Sequence, residues 1–432
     1  MEKQTLANEL QRRKNVRIGF STIIGLFWMA MASSAYNVLL LDSQQFTSAQ
    51  VGVIMAIYSS IGIIAPPIWG YLADKMHSIP KAYLIVYAIH AVIIGFMPVF
   101  GMLKFWGFSF LAVALPLSNF VRTPSMSLID AWTIHSVTHV RRVSFGMVRL
   151  WGSIGWAVAC VSLSFLADAL GIYAVFVSCG IMSVVVCLYS IRLNRKVPMV
   201  EDDDAQDAPK AEEKQKINPA LLFKNYYFVV LLVFHFLIQM MGNSSMLFLP
   251  YVFRSIGVDP NISGAATGIK ALMEVPFLLA GGYLLTRFKL PPMIAAVGCI
   301  YAFEHFLYTM LGTPLLAPFV QALGSWSVIS IQLFGGLASG LYLTTSVQYA
   351  YRLAPKELTA SAQSFLGMSM SLGAICASLL GGMIIQASGV RAFYTLTSTT
   401  MLVGIVLFLL SFPFGEKVLK IPRPAAAKSP RE

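Results

Sequence analysis

Residues 145–171 read FGMVRLWGSIGWAVACVSLSFLADALG. Between Arg149 and Asp168 no side chain carries a charge, so a helix over this interval has the length that a membrane crossing needs: roughly 20 apolar residues for a hydrocarbon core about 30 Å thick. Arg149 stands inside that apolar stretch, where a cation is costly to hold. A span with an arginine in it implies a membrane protein that uses the charge.

The rest of the chain agrees. Of its 432 residues, 57% are hydrophobic and 12% charged, about half the charged fraction of an average soluble domain. Apolar runs recur at 18–41, 50–73, 82–103, 106–134, 144–167 and 171–191, and again at 225–250, 262–286, 292–312, 326–350, 358–387 and 390–413. That is twelve spans, with a short interfacial helix possible between Pro314 and Gly324. In hydrocarbon every backbone polar group must be satisfied internally, so an all-α polytopic bundle is expected, with no separate catalytic domain.

The start, MEKQTLANELQRRKNVRIGF, is polar and basic and lacks a small-residue cleavage site, which predicts an uncleaved anchor in the first span. Of the 31 Lys and Arg, 25 fall in segments that a cytoplasmic N-terminus puts in the cytoplasm. Lys104, Arg254 and Arg391 fall outside, and Arg122, Arg149 and Lys270 lie within spans. The positive-inside rule therefore places both termini in the cytoplasm of a cell (inner) membrane protein. It also accounts for the net charge of +12 without nucleic acid as a partner. The five cysteines are scattered singly and read as small core residues, not as a disulfide framework or metal site.

The polar segment 193–223 divides the chain into a bundle at 1–192 and a bundle at 224–414, followed by a tail at 415–432. Its run Asp202, Asp203, Asp204 reads as a solvated linker face. The halves resemble each other. GYL at 70–72 can be laid on GYL at 282–284, and GSIGWAVACVSLSFLADALG (152–171) on MSLGAICASLLGGMIIQASG (370–389). A duplicated six-helix unit follows, as in transporters that rock one bundle against the other.

GYLADK at 70–75 resembles the signature of the major facilitator superfamily between spans two and three, although the usual continuation is degraded to MHSIPK. Within it, Phe145, Gly146, Arg149, Trp151, Gly152, Gly155 and Trp156 are similar to span five of the lactose permease, phenylpropionate permease and nucleoside symporter group. The resemblance implies a twelve-helix fold and sugar binding by Arg149, Asp130 and Trp156, with Glu274 contributing from span eight. It also implies a departure. Gly335 and Ala338 stand where lactose permease has its proton-coupling histidine and glutamate, and Glu304 where it has an arginine. Gly70 is expected to permit close helix approach and Asp74, with Lys75, to act as a conformational latch.

Six charges lie in the spans: Arg122, Asp130, Arg149, Lys270, Glu274 and Glu304. On span four, Asn119, Thr123, Met126 and Asp130 fall within about 60° of one another, with Arg122 at the edge. Lys270 and Glu274, four apart, can pair on one face. Trp156 lies nearly two turns from Arg149 on the same face, a planar platform beside a planar fork. The residues expected to bind substrate are Arg149, Asp130, Trp156, Glu274, Asn119 and Arg122. Those expected to carry the proton are Glu304, Asp130 and Glu274, with His305 packed beside Glu304.

The expected function is secondary active transport, not enzymatic catalysis: proton-coupled uptake of a small polar solute such as a sugar or glycoside, by a monomer in the lipid bilayer. The partners are the solute and protons. No cofactor is expected, the proton gradient being the energy source, and no nucleotide-binding loop is present. The alternatives are uptake of nucleosides or aromatic carboxylates, the latter with Arg122 and Arg149 as a cationic clamp, and drug efflux.

Overall fold

The structure, a computed structural model, describes residues 2–105, 107–138, 140, 143–197 and 218–422. The first half runs through α1 (Glu2–Met31), which continues by a 3-10 turn (Ala32–Tyr36) into α2 (Asn37–Ser43), then α3 (Ser48–Lys75), α4 (Ile79–Gly95), α5 (Met97–Met102), α6 (Leu111–Thr138), α7 (Phe145–Leu170) and α8 (Ile172–Lys196). The second runs through α9 (Tyr226–Leu247), α10 (Leu249–Ser255), α11 (Ser263–Arg287), α12 (Leu290–Leu311), α13 (Ala317–Leu323), α14 (Ser325–Leu353) and α15 (Thr359–Lys417).

Local chemistry sets several of these boundaries. Thr47 and Gln50 form a reciprocal capping box at the start of α3. The Ser144 hydroxyl accepts from Met147 N at 3.4 Å to open α7, and Asn225 caps α9 by accepting from Tyr227 N and Phe228 N.

Among the described residues nine helices are long and apolar enough to cross a membrane. One of them, α15, is two spans joined across Gly389, and α4–α5 and the polar-faced α6 complete the twelve. The protein is therefore all-α and polytopic, with the six-plus-six organisation of the major facilitator fold. The fourth span starts five residues later than expected. A two-residue ribbon, β1 (Lys104–Phe105) paired with β2 (Phe108–Ser109), turns at Gly107 (φ +85°) and uses up the residues assigned to its beginning. The short helix expected after Pro314 is α13, stopped by Gly324 at φ +53°.

Two compact units are present: Met1–Asp203 with Asn261–Gly268, and Asp204–Pro260 with Ile269–Glu432. The first turns of α11 thus belong to the first unit, where Ala265 N donates to Ser164 Oγ at 2.8 Å. Each unit has its own core. In the first, Trp132 is fully buried between Phe20 and Tyr83. In the second, Phe234 stacks on Phe408 at 4.3 Å. Most of the linker, Asp202 to Asp204 included, and residues 423–432 of the tail lie outside the described residues. Of the cysteines, Cys160 and Cys179 are buried as expected, but Cys299 is on an exposed face of α12.

The internal repeat is legible in the backbone. Gly171 ends α7 at φ 83°, ψ 168°, and Gly389, its counterpart in the aligned stretches, breaks α15 at φ 84°, ψ 168°. This region of conformational space is open only to glycine. Sixteen residues before each, the same correspondence holds for packing. A Cβ on Gly155 would lie 2.3 Å from Gly25 O in α1, and one on Gly373 would lie 3.0 Å from Phe236 O and Met240 N in α9. Tyr71 and Tyr283, matched in the other aligned pair, are 70% and 69% exposed.

A Cβ at Gly171 or Gly389 would meet nothing within 4 Å, so substitution there is penalised by backbone alone. Gly171→Ala and Gly389→Ala should each destabilise their own unit, by about 1–3 kcal/mol. Thermal unfolding in detergent should show similar losses for the two; an unchanged midpoint for either would refute the shared conformation.

Candidate functional site

In the first unit α1 and α7 meet backbone to backbone at Gly25 and Gly155, and this approach sets the site. One turn away, a Cβ on Gly152 would lie 2.6 Å from Trp28 Cδ1 and 2.7 Å from an Arg149 Nη atom. Glycine there leaves the room in which the Arg149 guanidinium lies over the Trp28 ring, 4.2 Å from its centroid. Arg149 Nε is 4.0 Å from Asp130 Oδ1 on α6, a separation at which the charges attract without a hydrogen bond. Their side chains are 32% and 34% exposed, so the pair is open to a ligand. Trp156 stands edge-on to Trp28, ring centroids 5.9 Å apart at 74°.

Two polar atoms in this cluster have no hydrogen-bond partner although they are buried: Trp28 Nε1 and Asp130 Oδ1. Buried polar groups are ordinarily satisfied, so a free donor and a free acceptor beside a planar cation and two indoles are what a hydroxyl-rich ring could complete. Trp28 as the surface on which Arg149 lies was not legible in the sequence. It sits on a different span, and no spacing rule links it to span five.

Asn119 has another task. It is 4% exposed, and its Nδ2 donates to Tyr58 O at 2.8 Å while its Oδ1 accepts from Thr123 Oγ1 at 2.9 Å. Gly62 lets the amide in, since a Cβ there would lie 2.8 Å from Asn119 Nδ2. The expected binding residue is thus a clamp between α3 and α6. Arg122, from the same polar face, donates from Nη2 to Ser34 Oγ at 3.0 Å.

In the second unit the polar residues converge on Glu304. Glycines again permit it: Cβ atoms on Gly336 and Gly340 would lie 2.5 Å from Lys270 O and 2.6 Å from Glu274 O, which brings α14 against α11. The adjacent Gly335 accommodates a carboxylate, for a Cβ there would lie 2.7 and 2.8 Å from the two Glu304 oxygens. Glu304 is fully buried; its Oε1 accepts from Tyr308 OH at 3.2 Å and its Oε2 is unpartnered. His305, also fully buried, uses Nδ1 for Thr397 Oγ1 at 2.7 Å.

Lys270 turns to Ser245, donating to its Oγ at 2.8 Å, and lies within electrostatic reach of Glu304. The anticipated Lys270 and Glu274 ion pair does not close to within 4 Å. Glu274 remains partly buried beside Ser339. Gln332 donates to Ser245 O at 3.1 Å, which completes a support shell that the sequence did not single out. Neither Ser245 nor Gln332 is charged, so neither departs from the background of a transmembrane helix.

Among the described residues no contact engages the expected latch. A Cβ on Gly70 would meet nothing within 4 Å, and Asp74 and Lys75 are exposed, so the close helix approach anticipated at Gly70 is absent.

Comparison with known proteins bears on what such a site serves. Residues 24–396 match the model of the MFS_1 like family. The chain is 24% identical to the maltose permease of Geobacillus stearothermophilus, over 87% of this chain and 88% of that protein. It is 23% identical to the xanthosine permease of Escherichia coli (strain K12), covering 88% and 90%. Among solved structures, the nucleoside transporter NupG superposes with a TM-score of 0.75 at 16% identity, covering 92% of this chain and 99% of that one. A D-xylose-proton symporter superposes with a TM-score of 0.66 at 15% identity, covering 95% and 99%.

If Asn119 is a clamp, Asn119→Ala should lower thermal stability, by about 1–3 kcal/mol for the unpaired groups left behind. Solute affinity of the folded variant should stay near that of the parent. Unchanged stability with lost affinity would return Asn119 to the binding residues.

Proposed function

Because the chain belongs to the MFS_1 like family, whose members are membrane transporters, we propose that it is a secondary active transporter that imports a small polar organic solute together with protons. The cargo is a sugar or glycoside. It lies against Arg149, Asp130, Trp28 and Trp156 in the first unit; Glu274, of the second unit, is a further candidate binding residue. Planar guanidinium and indole surfaces suit a ring bearing hydroxyls, and the relative named for maltose and the neighbour named for xylose support that chemistry. Nucleosides are the second reading, supported by the relative named for xanthosine and by the likeness to the nucleoside transporter.

One observation carries the proton part: the Glu304 carboxyl is buried completely in the spans, one oxygen unpartnered, with Lys270 near. A carboxyl in such a place can exchange a proton as its surroundings change, which coupling requires. Asp130 and Glu274 are the other candidate carriers. Lactose permease, which the sequence resembles, has its coupling histidine and glutamate on span ten; here Gly335 and Ala338 stand at those positions, and the Glu304 carboxylate of α12 lies beside Gly335. The membrane potential supplies about 2.3 kcal/mol per charge for each 100 mV, before any pH gradient. The protein works as a monomer in the cell membrane, both termini in the cytoplasm, with Gly70, Asp74 and Lys75 as a latch in another state of the cycle.

The test is uptake into reconstituted vesicles under an imposed proton gradient, across a panel of sugars, glycosides and nucleosides. Glu304→Gln should abolish gradient-driven accumulation while leaving counterflow exchange, and Arg149→Lys should weaken solute binding about 10-fold or more by removing the planar fork. Proton-driven accumulation by Glu304→Gln at the parental level would overturn its role, and failure of the whole panel would overturn symport.

A further inference from the structure

Arg122 is the intramembrane cation that this reading leaves without a counter-ion. Its Nη2 donates to Ser34 Oγ at 3.0 Å, its buried Nε has no hydrogen-bond partner, and among the described residues no carboxylate lies within 4 Å of it. Ser34 belongs to the 3-10 turn that interrupts the first span, a place where helix geometry gives way. α4 packs against α6 and brings His90 near the Ser118 backbone, one turn before Arg122. His90 is fully buried, Tyr87 stacks against it at 5.7 Å, and neither ring nitrogen has a well-aligned hydrogen bond.

A guanidinium in a span without a counter-ion is costly, and so are buried donors left open. A cation with an open Nε and no acidic residue to meet it fits an anion that arrives from outside the chain, and a neutral His90 can offer one of its two ring nitrogens as a further donor. Arg122 is only partly buried, so it can be reached. Its distance from the ring site is set by two elements. On α6, Arg122 and Asp130 are eight residues apart, about 12 Å of helix rise. On the first span, Ser34 follows Trp28 by six residues. One solute can therefore lie along the first span and α6 with its ring at Trp28 and Arg149 and a charged group at Arg122.

We propose that Arg122, supported by Ser34 and His90, is an anion subsite that takes the carboxylate of the transported solute, so that the cargo is an acidic sugar-like compound. The assignment rests on the transport reading above and sharpens its substrate class. It has an electrical consequence: one proton carried with one monoanion moves no net charge, whereas a proton carried with a neutral sugar moves one.

The experiment uses the full chain in vesicles under a pH gradient, with D-glucose, D-glucuronate, maltose and maltobionate as probes. A carboxylate probe should be taken up about 10-fold faster than its neutral counterpart, the worth of one charge-assisted fork. An imposed inside-negative potential should leave that uptake unchanged. Arg122→Gln should bring the ratio of acid to neutral uptake close to one. Equal uptake of acid and neutral probes by the parent, or a preference that survives in Arg122→Gln, overturns the subsite. Should Arg122→Gln fail to fold, the parent decides with Arg122→Lys beside it: a preference for the acid that is lost in the parent when the probe's carboxylate is replaced by its neutral amide supports the subsite, and equal uptake of acid and amide overturns it. Uptake of the neutral probes alone removes the subsite and leaves symport standing, while no uptake of any probe removes both.

Discussion

The contact on which the rest of the first unit depends is between two backbones. Gly155 of α7 sits against the carbonyl of Gly25 in α1, at a separation that no side chain could share. In a bilayer the lipid tails are as apolar as the helices, so association relies on close van der Waals fit, and small residues supply it. Once α1 and α7 are this close, Gly152 is the remaining free volume, and Trp28 and Arg149 fill it. The guanidinium then lies over an indole and 4.0 Å from Asp130. A methyl group at Gly155 would separate the helices and remove the platform, though it would touch none of the polar atoms.

The second unit repeats the scaffold and changes the chemistry. Gly373 meets the α9 backbone as Gly155 meets α1, and Gly389 reproduces the backbone angles of Gly171. Where the first unit has an open ion pair between indoles, the second has an enclosed carboxyl held by Tyr308 near Lys270. An exposed pair suits a ligand that comes and goes. An enclosed carboxyl suits a proton, which needs no cavity. Under the proposed function the two halves of one ancestral fold divide the work of recognition and coupling.

Gly335 shows how such a site can be rebuilt. The space beside it is filled by Glu304 from the neighbouring helix, and any residue larger than glycine would displace that carboxyl. Reading one span at a time records a glycine on span ten and a carboxylate on span nine; only their packing shows that the first makes room for the second.

The sequence by itself determined the twelve spans, the duplication and the identity of the intramembrane charges, because apolar length, repeated glycines and charges within a span are properties of one segment at a time. It placed Arg149 with Asp130, and His305 as a hydrogen-bonded neighbour of Glu304. It did not reveal that Asn119 is spent on a backbone carbonyl of α3, that Lys270 prefers Ser245 to Glu274, or that Trp28 lies under Arg149. Those are decisions of tertiary structure. Each depends on which helix comes close at one particular turn, and a hydrogen bond or ring contact made over 3 to 4 Å is set by that approach, not by spacing along the chain.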